Sequence, residues 1–230
     1  MSSSFVDTNV PIAYVFLIGP KNSIAEKILS EEYDNVFCSE NVLIEFDDRT
    51  LEKRMNLMSF YDKFTLHLSI KNTNKISYSY MLNFADNEEY GDVKEKEDVI
   101  ESISMFWNHY HPHESIMPKV LMIEYINQLR NELEFGVCDW INFCKEKLIN
   151  IDEGIHERIN QYKNPNDLFD KLYSCGMHDE DIEISLDAHD YSLTLNCQMD
   201  FVTFDKKCFK CVSKENLCFN EIRCYKDYEN

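Results

Sequence analysis

Two short apolar segments that each run into an aspartate lie far apart in the chain: Phe5-Val6-Asp7 and Phe201-Val202-Thr203-Phe204-Asp205. Uninterrupted apolar runs of this length read as strands buried on both faces, as in parallel sheets. Parallel strands need crossover connections, usually helices, so the two segments share a sheet most readily in an α/β fold. The C-terminal ends of parallel strands gather along one edge, where ligands bind. Two carboxylates about 4 Å apart there, at an effective dielectric of about 20, repel by on the order of 4 kcal/mol. A shared proton, a basic side chain or a divalent cation must offset that repulsion. Oxygen donors without thiolates suit Mg²⁺ or Mn²⁺.

The rest of the chain alternates in the same style at both ends. Val36-Phe37-Cys38 reads as another buried strand, and Cys218–Tyr225 as a further one. Val10–Leu17 reads as a helix with Asn9 as its cap and Pro11 in the first turn, and Ser39 as the cap of a helix carrying Val42, Leu43 and Phe46. Ser23–Ser30 has amphipathic helical spacing. Between about Asp47 and Asn166 long helical stretches take over, Leu51–Leu68 and Pro118–Ile149 among them. Asn164-Pro165-Asn166-Asp167 starts a helix that Gly176 closes, and Asp181–Leu193 is helical, with Asp181, Ile184, Ala188 and Tyr191 on one face. At 230 residues the chain is one large domain or a domain with a big insertion. Only five Gly and five Pro, with 13% aromatics, exclude a collagen-like or disordered chain and argue against an all-β fold, which spends those residues on many turns.

Four segments together resemble the motifs of the PIN-domain nucleases. Phe5-Val6-Asp7-Thr8-Asn9-Val10 resembles that family's opening. Ser39-Glu40-Asn41-Val42-Leu43-Ile44-Glu45 is similar to its second motif, a serine followed six residues later by a helix glutamate. Asp181-Ile182-Glu183-Ile184-Ser185-Leu186-Asp187-Ala188 resembles the third, and Phe201-Val202-Thr203-Phe204-Asp205-Lys206 the fourth. The resemblance covers roughly residues 4–48 and 167–228. It implies a PIN-like three-layer α/β/α fold with a short central parallel sheet, a discontinuous core of residues 1–48 and 167–230, and a helical insertion over 49–166. It further implies a metal-dependent endoribonuclease whose Asp7, Glu45, Asp181 and Asp205 hold Mg²⁺ or Mn²⁺, with Asn9 and Thr203 orienting the carboxylates. Metal ions so held activate water and neutralise charge on phosphoryl oxygens. Toxin-like members pair with an antitoxin and others process RNA; a homodimer is a further expected partner state. Two departures stand out: the long stretch between the second and third motifs, and extra residues between Asp181 and Asp205 that make Asp187 an alternative third acid. Asp181 is preferred because its register places Ile184 and Ala188 inward on its own side. The rival readings are a PIN-like module that binds RNA or protein without cleavage, and an aspartyl-nucleophile phosphatase. The phosphatase needs Asp-x-Asp, and Asn9 stands in the second place.

Charge and cysteine usage set the remaining expectations. Lys+Arg number 23 against 42 Asp+Glu, a net charge of −19, so long-range attraction of nucleic acid is excluded and any phosphate contact must be local. Lys206, Lys207, Lys210 and Lys214 form one basic cluster and are candidate phosphate contacts; Arg49, Lys53, Arg54, Lys63, Lys71 and Lys75 form another. Residues 86–101 are an acidic run that reads as a solvated face. No signal peptide or membrane span is apparent in the sequence, and nine Cys read as reduced thiols of a cytoplasmic protein. Cys208-x-x-Cys211 with Cys218 and Cys224 is a weak zinc candidate, and buried thiols are the preferred reading. His109-x-His111-x-His113 and His189 read as packed histidines before metal or active-site groups.

Overall fold

The computed structural model describes residues 2–16, 20–110, 116–151, 167–195 and 199–228. The His111 and His113 pair, the Asn164–Asn166 helix start and Cys197 lie outside them.

The fold is α/β. Strands β1 (Ser3–Val6), β2 (Asn35–Cys38), β5 (Leu148–Asn150), β6 (Asp200–Val202) and β7 (Ile222–Arg223) form a five-stranded sheet in the order β5-β2-β1-β6-β7. Every pairing in it is parallel, with Phe5 opposite both Phe37 and Phe201. The apolar runs are strands for the expected reason: Phe5, Val6, Val36, Phe201 and Val202 are all buried. Starting at β1, the chain steps outward to β2 and β5, then returns to the other side of β1 for β6 and β7. Strand order therefore reverses between β1 and β6, and in open α/β sheets the crevice at such a reversal is where ligands bind.

Around the sheet run α1 (Asn9–Phe16), α2 (Pro20–Lys27) with a π-helical turn Ile28–Glu32, and the start of α3 (Glu40–Ile70). The elements α4 (Tyr78–Asp86), α5 (Val93–Tyr110), α6 (Lys119–Asn131) and the two-stranded antiparallel sheet of β3 (Lys75–Ser77) with β4 (Ile116–Pro118) follow. Then come α7 (Val137–Lys147), α8 (Leu168–Cys175), α9 (Asp179–Leu195) and α10 (Lys206–Val212). Two compact units result: Met1–Val15, Pro20–Asp48 and Asn142–Asn230 in one, Phe16–Gly19 and Arg49–Ile141 in the other. The first holds the five-stranded sheet; the second is helical apart from the antiparallel β3–β4 pair.

Several local expectations are corrected. Asn9 is the first residue of α1, and its side chain turns to Asp7 instead of capping. Ser39 is buried with no hydrogen-bond partner for its hydroxyl, so it does not cap α3 either. The helix expected over Pro118–Ile149 stops at Lys147, and Leu148–Asn150 pairs with β2: three residues carry too little periodicity to separate a strand from a helix end. Three basic side chains of the 49–75 stretch find partners within their own unit. Lys53 bonds Asp98 at 2.8 Å, Lys63 pairs Glu88 at 3.0 Å, and Arg54 donates to the Glu134 carbonyl at 2.8 Å. Glu88, Asp98 and Glu101 of the acidic run thus pair with Lys53 and Lys63, while Asp86 pairs with Lys96 of the run itself. Gly176 closes α8 as expected, in the left-handed region at φ 98°, where a side chain is strained.

Candidate active site

Parallel register fixes the site. With Val6 opposite Val202, Asp7 and Thr203 leave their strands side by side, and the Asp7 amide donates to the Val202 carbonyl at 3.0 Å. The Asp7 side chain is 1% exposed. Its Oδ2 accepts from the Thr203 hydroxyl at 2.7 Å and from the Asn9 amide at 3.1 Å. The Thr203 hydroxyl in turn accepts the Asp205 N–H at 3.0 Å, which orients its proton toward Asp7. Thr203 and Asn9, singled out from sequence as orienting groups, both bond that carboxylate.

Burial is the main cause of Asp7's carboxyl being pushed up to about 7. The bond from Thr203 opposes the rise, the Asp181 carboxylate adds to it, the bond from Asn9 opposes it and the Glu45 carboxylate adds to it. The first, second and third motifs thus bring carboxylates within electrostatic reach of one another. Glu45, on the second turn of α3, is held by the Thr8 hydroxyl at 2.7 Å. Asp181, in the first turn of α9, is partly exposed. Asp187 lies further along the same helix, fully buried, and accepts from the Asn41 amide at 3.2 Å.

Asp205 sits where expected, just past β6, but its Oδ1 accepts backbone N–H groups of Lys207 and, at 2.9 Å, Cys208, capping α10. Capping leaves Oδ2 as its other acceptor. Lys206, Lys207 and Lys210 are exposed on α10. His189 is buried and its Nδ1 accepts the Cys218 N–H at 2.8 Å; burial lowers its pKa, with Asp190 opposing.

Sequence reasoning gives Thr8 and Ser185 no role of their own, and reads Cys208 only as a buried thiol or weak zinc candidate. Thr8 had a signal, its place in Asp-Thr-Asn, which puts a hydroxyl beside the acid. Ser185 bonds the Asp181 carbonyl at 2.8 Å within α9. Cys208 is buried, and its thiol is held well above its ordinary value by burial first and then by the Asp7 and Asp181 charges. A thiol kept protonated is a poor metal ligand. Cys211 is disulfide-bonded to Cys175, which corrects both the all-reduced reading and the zinc candidate. Two sulfurs separated by 36 residues carry no sequence signal of adjacency.

Among the described residues, no group of three or more His, Cys, Asp or Glu is arranged to hold a metal ion, and no helix is long and apolar enough to cross a membrane. The donor set around Asp7 nonetheless fits a hard cation in kind: carboxylate oxygens that repel one another, one of them buried. No protein-family model, curated protein or solved structure matches the chain.

Proposed function

We propose that the sheet-bearing unit is a PIN-like, three-layer α/β/α nuclease that hydrolyses RNA phosphodiester bonds with Mg²⁺ or Mn²⁺. The observation that carries this reading is the buried Asp7 at the β1–β6 strand reversal, gripped by Thr203 and Asn9 and facing Asp181 and Glu45. Asp7, Glu45, Asp181 and Asp205 are the residues that would hold the metal. Such a cation supplies charge neutralisation at the phosphate and a more acidic bound water. The chain's own part is positional. Thr203 and Asn9 fix the Asp7 carboxylate, Thr8 fixes Glu45, and the Asp205 cap fixes α10. Lys206, Lys207 and Lys210, exposed beside Asp205, contact backbone phosphates. RNA is the substrate in this reading, and an antitoxin-like protein or a second copy of the chain is a further proposed partner.

The test is cleavage of single-stranded RNA by purified protein with Mn²⁺ or Mg²⁺. Asp7→Asn and Asp181→Asn are expected to lower the rate by more than the roughly 100-fold typical of losing a mere supporting group, while Asp187→Asn retains most of it. Cleavage that survives Asp7→Asn refutes the assignment, and loss with Asp187→Asn alone transfers the third role to that residue. The absence of a ready-made three-ligand group among the described residues favours a second reading, a PIN-like module that binds RNA or protein without cutting. Metal-independent binding of RNA that stays intact would select it.

A further inference from the structure

Cys175 and Cys211 are bonded, with Cα atoms 5.7 Å apart, and their surroundings differ. Cys211 is 1% exposed on the inner side of α10, whereas Cys175 ends α8 at the surface, partly exposed. The Lys214 ammonium lies 3.7 Å from the Cys175 sulfur. The Lys207 side chain packs on the next residue, its Nζ 3.7 Å from where a Cβ would stand on Gly176. A cation therefore borders the Cys175 sulfur, with a second against the neighbouring glycine, and cations favour the thiolate that attacks disulfides. Cys38, Cys144 and Cys208, by contrast, are buried thiols whose pKa values burial raises.

We propose that Cys175 and Cys211 are an exchange-active dithiol pair, with Cys175 the attacking thiol, Cys211 the resolving thiol, and a small-molecule disulfide of the glutathione type as co-reactant. In the forward direction the Cys175 thiolate attacks one sulfur of the small disulfide. That S–S bond breaks and one thiolate leaves. Cys211, giving up its proton, then attacks the Cys175 sulfur of the mixed disulfide and expels the second thiolate. The two protons lost by the cysteines end on the two released thiols, and two electrons pass from the protein to the small disulfide. The pair's placement gives the exchange a target. Asp181 follows Cys175 by six residues and Asp205 precedes Cys211 by six. The bridge therefore ties together the two segments that carry the later acidic motifs. Any effect on cleavage rests on the nuclease reading; the thiol chemistry does not.

The experiment uses the full chain and reads sulfur, not RNA. Reduced protein is treated with limiting iodoacetamide at pH 7 and mapped by peptide mass. Cys138, exposed and unbonded, serves as the internal standard. Cys175 is expected to react at least as fast as Cys138 despite its lower exposure, and Cys211 at least about tenfold slower. Lys214→Met slows Cys175 several-fold, and Lys214→Arg restores it. Equilibration with glutathione disulfide yields the Cys175–Cys211 linked peptide and a Tm roughly 5–10 °C above that of the reduced protein, a rise that Cys211→Ser abolishes. The proposal is overturned if no Cys175–Cys211 linkage forms at any glutathione ratio, which wild-type mapping alone decides. It is equally overturned if Cys175 reacts more slowly than Cys138 and is indifferent to Lys214→Met.

Discussion

The two units bury different chemistry. The helical unit is filled with rings: Phe60 stacks on Phe64, Tyr61 meets Phe106, Phe64 and His67 both lie against Phe84, and Tyr110 stacks on Tyr125. Of the buried polar side chains among the described residues, only Thr50 and Lys53 belong to it. The sheet-bearing unit buries Ser4, Asp7, Thr8, Ser39, Ser185, Asp187, His189, Asp190, Ser192, Asp200 and Thr203. Buried polar groups destabilise unless bonded, and buried carboxylates do so more strongly. One unit is thus built for packing, while the other carries a polar cost that includes the buried Asp7 carboxylate at the β1–β6 strand reversal. Perturbed carboxyls such as that of Asp7 cluster at functional sites.

The sharpest way to break this comparison is to damage each unit in its own terms. Phe64 is fully buried, so Phe64→Ala should cost about 3–5 kcal/mol and lower Tm by roughly 10 °C. It should leave any Mn²⁺-induced stabilisation intact, as measured by calorimetry with and without the ion. In the sheet-bearing unit, removing a buried group should do the opposite. Asp7 titrates near 7 in the fold against an ordinary value of 3.8, so the native state holds the extra proton between those values. Its contribution to stability is fully present below about pH 3.8 and is lost as pH rises through 7, a span worth about 4 kcal/mol at most. Asp7→Asn should therefore raise the Tm of metal-free protein at pH 8 by several degrees and change it little at pH 4. It should also abolish a Mn²⁺ response that in wild type reaches about 2.7 kcal/mol at 100 times Kd. Glu97→Gln, on the exposed acidic face, should show neither effect. The smallest change sharpens the site itself. Thr203→Val removes the 2.7 Å bond to Asp7 and the acceptor for the Asp205 N–H. It should cost about 1–2 kcal/mol and move the Asp7 carboxyl further upward, read from its ¹³C titration. An unmoved titration would mean that Thr203 does not hold that carboxylate.

The sheet's inner strands were legible because they carry apolar runs, and β1 and β6 also lead into acids: β1, β2 and β6 fall on the segments read as strands, and Gly176 closes α8 as its backbone freedom suggests. The supporting bonds of Asn9 and Thr203 to Asp7 were legible through the resemblance, although Asn9's place inside α1 was not. What stayed hidden depends on tertiary adjacency. Leu148–Asn150 is too short to show a period. Lys53 and Lys63 looked free because their partners lie 45 and 25 residues away. Cys175 and Cys211 meet only because α8 and α10 do. Asp205 could be placed after a strand, but its service as the cap of α10 depends on where the helix begins.

The sheet's outermost strands are short. Among the described residues β5 has three residues and β7 two, against a β1 that is flanked on both sides. A sheet edge recruits foreign strands through a row of unpaired N–H and C=O groups, and two or three residues offer almost no such row. Edge-to-edge growth is thereby discouraged even though the inner strands carry the apolar pairs Phe5-Val6, Val36-Phe37 and Phe201-Val202. The chain shields its apolar strand segments by placing them inside the sheet, with only two or three paired residues at each edge.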